Sequence, residues 1–267
     1  MNIKKKILPI GDVLKTDKNG FIIKKASLEK IKNPWKRAID FLVEKYVEYF
    51  GDKIHSIYLR GSVPMGTSIE GVSDIDSFIL INEKIDKEKI NKIREMFFEK
   101  FKFVKKLECQ VLDLNEVLNF GNFFWWRFAI KTQSVCVYGE NISDKISGFK
   151  INKGLYNKIK YNLSRDINQA KDKIGKNKDD GDFVKEVCTW IMKRVLRQAF
   201  LIVMEKENVF TRDLYFCNKI FLKYFPSRKE DAEMTLELSI YPTSNIKKIN
   251  GILDNFGLWI IEKSKEI

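Results

Sequence analysis

The chain has 267 residues, 44% of them hydrophobic and 13% aromatic, with only 5 prolines, so it exceeds one typical domain of ~100–150 residues and excludes a disordered or low-complexity protein. Lysine and arginine exceed aspartate and glutamate by 26 to 20 over residues 1–145 and by 23 to 16 over the rest, a net +13 with no basic tail. Every candidate for the ~18–20 uninterrupted apolar residues of a membrane span is broken by Lys, Asp, Glu or Asn, and a single histidine and four dispersed cysteines with no CxxC pair exclude a zinc site of thiols and imidazoles.

Gly11 and Asp12 cut short the apolar run after the basic start "MNIKKKILPI", which argues against a signal peptide, and a cytoplasmic protein with reduced thiols is expected. An evenly spread lysine excess attracts polyanions such as nucleoside triphosphates or RNA. Compositional bias produces the same excess, so charge alone assigns no function.

Residues 33–51 repeat apolar positions at helical spacing, and Gly51 is a plausible stop. "KIHSIYLRGS" (53–62) has the β-branched and aromatic content of a strand that runs into Gly-Ser, and "SDIDSFILIN" (73–82) reads as a strand whose second half is continuously apolar, as in a buried sheet. An amphipathic helix over 86–102 leads to a third strand over 104–114; a helical pattern from Asn115 to about Lys131 and a strand over 134–141 complete a first domain. Beyond residue 146 the strand signals fade, and helical patterns follow in 152–175, 183–207, 211–224, 229–240 and 245–265. The fold class read from this order is α+β: a small mixed β-sheet domain over 1–146, followed by an all-α helical bundle domain over 147–267.

In a strand, alternate side chains share a face, so Asp74 and Asp76 point the same way while Ile75 enters the core. Two carboxylates ~5–7 Å apart repel unless a cation neutralises them, and hard oxygen donors suit Mg²⁺. A second D-x-D, Asp180-Gly181-Asp182, lies in the polar stretch "GKNKDDGD" and reads as solvated linker. Gly61 permits close approach of a phosphate to the backbone, and amides around Ser62 can cradle it. A third acid is offered by Glu108 in "KKLECQVL", with Asp113 as the alternative. Arg60 can aim at phosphate or pair with an acid; Trp125, Trp126 and Arg127 read as core rather than as a base-stacking platform; His55 reads as structural. Arg194 and Arg197 share a helix face, and Arg212 sits where "TRD" resembles a cap.

"YLRGSVPMGTSIEGVSDIDSFILI" resembles the signature of the DNA polymerase β-type nucleotidyltransferase superfamily: an apolar strand ending in Gly-Ser, about a dozen residues, Asp-apolar-Asp, and a later strand with a third acid. Within it the chain is most similar to bacterial aminoglycoside nucleotidyltransferases, whose apolar-Glu-apolar strand "LECQV" reproduces and whose first domain closes near an apolar-Tyr-Gly segment like "VCVYGEN". The resemblance spans roughly residues 30–225. It implies that Asp74 and Asp76 bind Mg²⁺, two ions with Asp76 bridging them, on ATP or another nucleoside triphosphate, and that Glu108 is the general base. It further implies that Gly61 and Ser62 hold phosphates and that Arg197 or Arg194, together with Arg212 in place of the family's lysine, contact them from the helical domain.

Three functions follow from this reading: nucleotidyl transfer to a small molecule such as an aminoglycoside-like antibiotic, the same chemistry on a protein or tRNA, and a non-catalytic nucleotide-binding scaffold. The small-molecule acceptor is favoured, because no added RNA-binding module is visible and the acid triad is intact.

Overall fold

Alternation along two strands decides where everything else packs. In β1 (Ile54–Arg60) and β2 (Ile75–Ile81) the residues Ile57, Leu59, Ile75 and Ile79 face one side and Tyr58, Phe78 and Leu80 the other, and all are buried. Both faces are therefore covered, which is why "FILI" carries no polar break. β3 (Leu107–Asp113) and β4 (Val135–Gly139) flank them in the order β3-β2-β1-β4. β1 is antiparallel to β2 and to β4, whereas β2 and β3 are parallel, so the sheet is mixed and the protein has the α+β architecture expected from its sequence.

This structure, a computed structural model, describes residues 7–119 and 123–267. The helices of the sheet-bearing unit are α1 (Trp35–Phe50), α2 (Ser62–Met65), α3 (Lys87–Lys100), α4 (Leu114–Leu118) and α5 (Phe124–Gln133). α1 buries Ala38, Leu42 and Tyr46 and α3 buries Ile90, Ile93 and Phe97, spaced three and four apart, on one face of the sheet. α3 also provides the crossover that parallel strands require. On the other face Val117 of α4 and Ile130 of α5 join Tyr58, Phe78, Leu80 and Leu112. The single helix expected over 115–131 is two, and residues 120–122 lie outside the described residues.

Tyr58 ties the end of this unit to its centre. Its hydroxyl accepts from the Ile142 amide at 2.8 Å and donates to Asn141 Oδ1 at 3.2 Å.

The chain divides into two compact units, residues 21–149 and, of those described, residues 7–20 with 150–267. The two units divide at 149/150, close to the expected 146/147, and residues 7–20 group with the helical unit. The cause is local. Leu14 and Phe210 exchange backbone hydrogen bonds of 2.7 and 2.9 Å, Thr211 Oγ1 donates to the Asp12 carbonyl at 2.8 Å, and the Asp12 amide donates to Asp213 Oδ2 at 2.7 Å.

The helical unit comprises α6 (Lys153–Ile159), α7 (Leu163–Lys176), α8 (Gly181–Leu201), α9 (Met204–Glu207), α10 (Leu214–Tyr224), α11 (Lys229–Ile240), α12 (Ile246–Ile252) and α13 (Leu258–Lys265). α8 is its axis, burying Val184, Val187, Cys188, Ile191, Met192, Val195, Leu196 and Ala199. Three expected helices are interrupted. The 152–175 pattern breaks at Lys160–Asn162, where the Tyr161 amide donates to the buried Gln198 side chain at 2.9 Å and Asn162 caps α7. The 183–207 pattern ends α8 at Leu201, and the last pattern contains a π-helical segment, Leu253–Gly257. In the second D-x-D motif, Asp180 caps α8 by accepting from the Phe183 amide at 3.0 Å, and Asp182 pairs with Lys185 at 2.9 Å, so this copy starts a helix.

Tyr58→Phe leaves the buried Ile142 amide without its acceptor. A loss of about 1–3 kcal/mol is expected, measured as a lower urea midpoint with an unchanged slope.

Candidate active site

The acids Asp76 and Glu108 are neighbours because of strand register. Asp76 on β2 is paired with Glu108 on the parallel strand β3 and with Arg60 on the antiparallel strand β1. In-register residues share a face, with Cβ atoms ~4.5–5.5 Å apart, so Arg60, Asp76 and Glu108 form a row across three strands. Asp113 is paired with Ile81 at the far end of the same strands, about 16 Å away at ~3.3 Å per residue. The register thus selects Glu108 over Asp113 as the partner of Asp76.

Asp74 stands one residue before β2, and its backbone is fixed by β3 and the segment leading into it. The Lys105 amide donates to the Ser73 carbonyl at 3.2 Å and the Ile75 amide to the Lys106 carbonyl at 2.9 Å. Ile75, between the two aspartates, is fully buried, as the alternation requires.

The charges in the row are strained against one another. Burial pushes the Asp76 carboxyl above the usual carboxylate range; Arg60 opposes that rise, while Glu108 and Asp74 add to it. Glu108 is held below the usual range, chiefly by the Lys106 ammonium, whose Nζ donates to Glu108 Oε1 at 2.6 Å. Two side-by-side carboxyl groups, one of them largely buried, with only oxygen donors, fit a hard divalent cation such as Mg²⁺. Among the described residues, no three His, Cys, Asp or Glu side chains gather closely enough to hold an ion by themselves.

Gly61 turns the chain off β1 into α2 at φ 83° and ψ −153°, a region essentially restricted to glycine. A Cβ there would lie 2.9 Å from Asp76 Oδ2, so the glycine is needed both for the turn and for the space beside the carboxylate. Ser62 opens α2, and its carbonyl accepts from the Thr67 amide at 3.0 Å.

Behind the row lies an aromatic stack. Tyr58 and Phe78 are parallel with centroids 5.1 Å apart, Trp126 lies 5.0 Å from Phe78, and the Arg60 guanidinium sits over the Trp126 ring at 5.3 Å. Trp126 therefore packs as expected and in addition carries Arg60 on its exposed side. Arg127 is buried, and Trp125 packs against Phe128 at 5.7 Å. His55 contacts Ser56 Oγ and Glu140, away from the row.

In the helical unit the three arginines separate into two groups. Arg194 lies over the Tyr161 and Trp190 rings at 4.5 and 5.9 Å, and its Nη1 is 3.6 Å from the buried Asp166. Arg197 Nε donates to the Arg212 carbonyl at 3.1 Å, and both guanidinium groups act electrostatically on Asp213, whose carboxyl burial pushes up. Arg212 precedes α10, and Thr211 Oγ1 accepts from the Asp213 amide at 3.1 Å, which gives "TRD" its turn.

Lys106 was missed from the sequence, although it stands two residues before Glu108 and so on the same face; Arg60 was weighed between phosphate and an acid, and its register with Asp76 places it with the acid, a pairing that carries no local signal.

Gly61→Ala forces a backbone conformation that side chains rarely adopt and makes the Asp76 carboxylate shift. A loss of about 1–3 kcal/mol is expected, read as a lower thermal midpoint.

No protein-family model matches the chain, and no curated protein does. Among solved structures the chain is similar to the spectinomycin adenyltransferase AAD(9) from Enterococcus faecialis, crystallised with ATP and spectinomycin, at a TM-score of 0.54 and 10% sequence identity, covering 86% of this chain and 99% of that one. At that identity the likeness shows the fold alone: a small mixed sheet with a helical region, as in that adenyltransferase.

Proposed function

We propose that the protein is a Mg²⁺-dependent nucleotidyltransferase that moves a nucleoside monophosphate, AMP from ATP, onto a hydroxyl of a small molecule such as an aminoglycoside-like antibiotic. The observation that carries this reading is the register that sets Asp76 beside Glu108, two residues past Asp74 and facing Gly61. Support for the co-substrate and acceptor classes comes from the adenyltransferase of like fold, which was crystallised with ATP and an antibiotic.

Asp74 and Asp76 would hold the metal together with substrate phosphate oxygens; Mg²⁺ commonly binds through one or two carboxylates plus phosphates, so a complete cage of protein ligands is not required. Bound there, the ion supplies charge neutralisation of the triphosphate. Glu108 accepts the proton of the acceptor hydroxyl. That oxygen forms a bond to the α-phosphorus while the bond from the α-phosphorus to the oxygen bridging it to the β-phosphorus breaks, and pyrophosphate leaves. Gly61 leaves room for a phosphate against the backbone at Ser62. Arg60 neutralises part of the row's negative charge without leaving Trp126. Within the helical unit Arg197 and Arg212 lie together, whereas Arg194 is committed to Asp166, Tyr161 and Trp190.

Incubation with α-labelled nucleotides and a panel of aminoglycosides, spectinomycin, lincosamides and tRNA tests the proposal by which molecule gains the mass of a nucleoside monophosphate. Modification of a small molecule is the expected result, label on tRNA or protein would move the acceptor to a macromolecule, and no transfer at all would overturn the enzymatic reading. Glu108→Gln is expected to keep nucleotide affinity and lower the transfer rate by ~10²–10⁴-fold.

A further inference from the structure

The acid row already has a cation against it. Lys106 Nζ reaches Glu108 Oε1 at 2.6 Å, and Asp74 and Asp76 add to the electrostatic hold on the same ammonium. Its backbone is fixed beside the aspartates through the 2.9 Å bond from the Ile75 amide to the Lys106 carbonyl. Its side chain, by contrast, is 63% exposed and ends a flexible four-carbon stem. The other cation of the row behaves differently: Arg60 is in register with Asp76 and its planar guanidinium rests on Trp126. One positive charge is thus fixed and the other is free to exchange, since an exposed lysine–carboxylate pair is worth only ~0–1 kcal/mol.

We propose that Lys106 is an exchangeable counter-cation of the acid row: it holds Glu108 when no divalent ion is present and releases it when the ion arrives with the triphosphate. This rests on the nucleotidyl-transfer reading and deepens it. An ion arriving alone competes with the ammonium for the negative charge of the row, whereas a triphosphate also brings negative oxygens for the released lysine. The site therefore favours metal–nucleotide over free metal, and substrate raises the fraction of Glu108 that is uncovered. Lys106 acts in this scheme as a positioning residue for Glu108.

The test is Mn²⁺ binding by electron paramagnetic resonance to wild type, Lys106→Met, Lys106→Arg and Asp76→Asn, each with and without ATP. Without nucleotide, Lys106→Met is expected to bind Mn²⁺ about threefold or more tighter than wild type, with Lys106→Arg close to wild type because it keeps the charge. With ATP the advantage of Lys106→Met should vanish or reverse. Equal Mn²⁺ affinity in wild type and Lys106→Met, with binding lost in Asp76→Asn, overturns the role of Lys106 and leaves the transferase reading standing. Absence of Mn²⁺ binding in every protein, with or without ATP, overturns both.

Discussion

The repulsion between Asp76 and Glu108, enforced by the register of β2 and β3, is the constraint around which the sheet unit is organised. A parallel strand pair gives neighbouring side chains no choice of face, so two carboxyl groups are held together at the end of a buried sheet. Such a pair is costly unless opposite charge is close. The chain supplies that charge twice, from Arg60 on β1 and from Lys106 immediately before β3. Gly61 then keeps open the space beside Asp76 that any larger residue would fill. These features are the ones that the proposed site for a cation and a polyphosphate uses.

Much of this was legible in the sequence. Asp74-Ile75-Asp76 followed by "FILI" announced a strand with two acids on one face, because period-two alternation is a local property. Glu108 was preferred, with Asp113 kept as the alternative, because the choice depends on which residue of β3 lies beside Asp76, and that register carries no local signal. For the same reason Arg60 stood undecided between phosphate and acid until its pairing with Asp76 was known.

The helical unit was less legible in its breaks than in its helices. The apolar pattern over 183–207 marked a helix where α8 lies, yet nothing local marks Lys160–Asn162 as a gap. That gap is held by Gln198, which accepts from the Tyr161 amide and donates to Tyr156 and Ser264 at 3.2 and 3.0 Å. Placement of residues 7–20 with this unit depends on Asp213 and Thr211, some two hundred positions away in the chain. Asp180 shows how context separates identical motifs: the same D-x-D begins a helix there because no strand follows it.

The account stands or falls on whether the acids bind nucleotide through a divalent ion. Calorimetric titration of ATP into wild type and into Asp74→Asn and Asp76→Asn, with Mg²⁺ and with chelator, tests this most directly. The account predicts binding by wild type that depends on Mg²⁺ and is lost in both variants. Wild-type affinity in the variants, or binding by wild type that is indifferent to the metal, would contradict it.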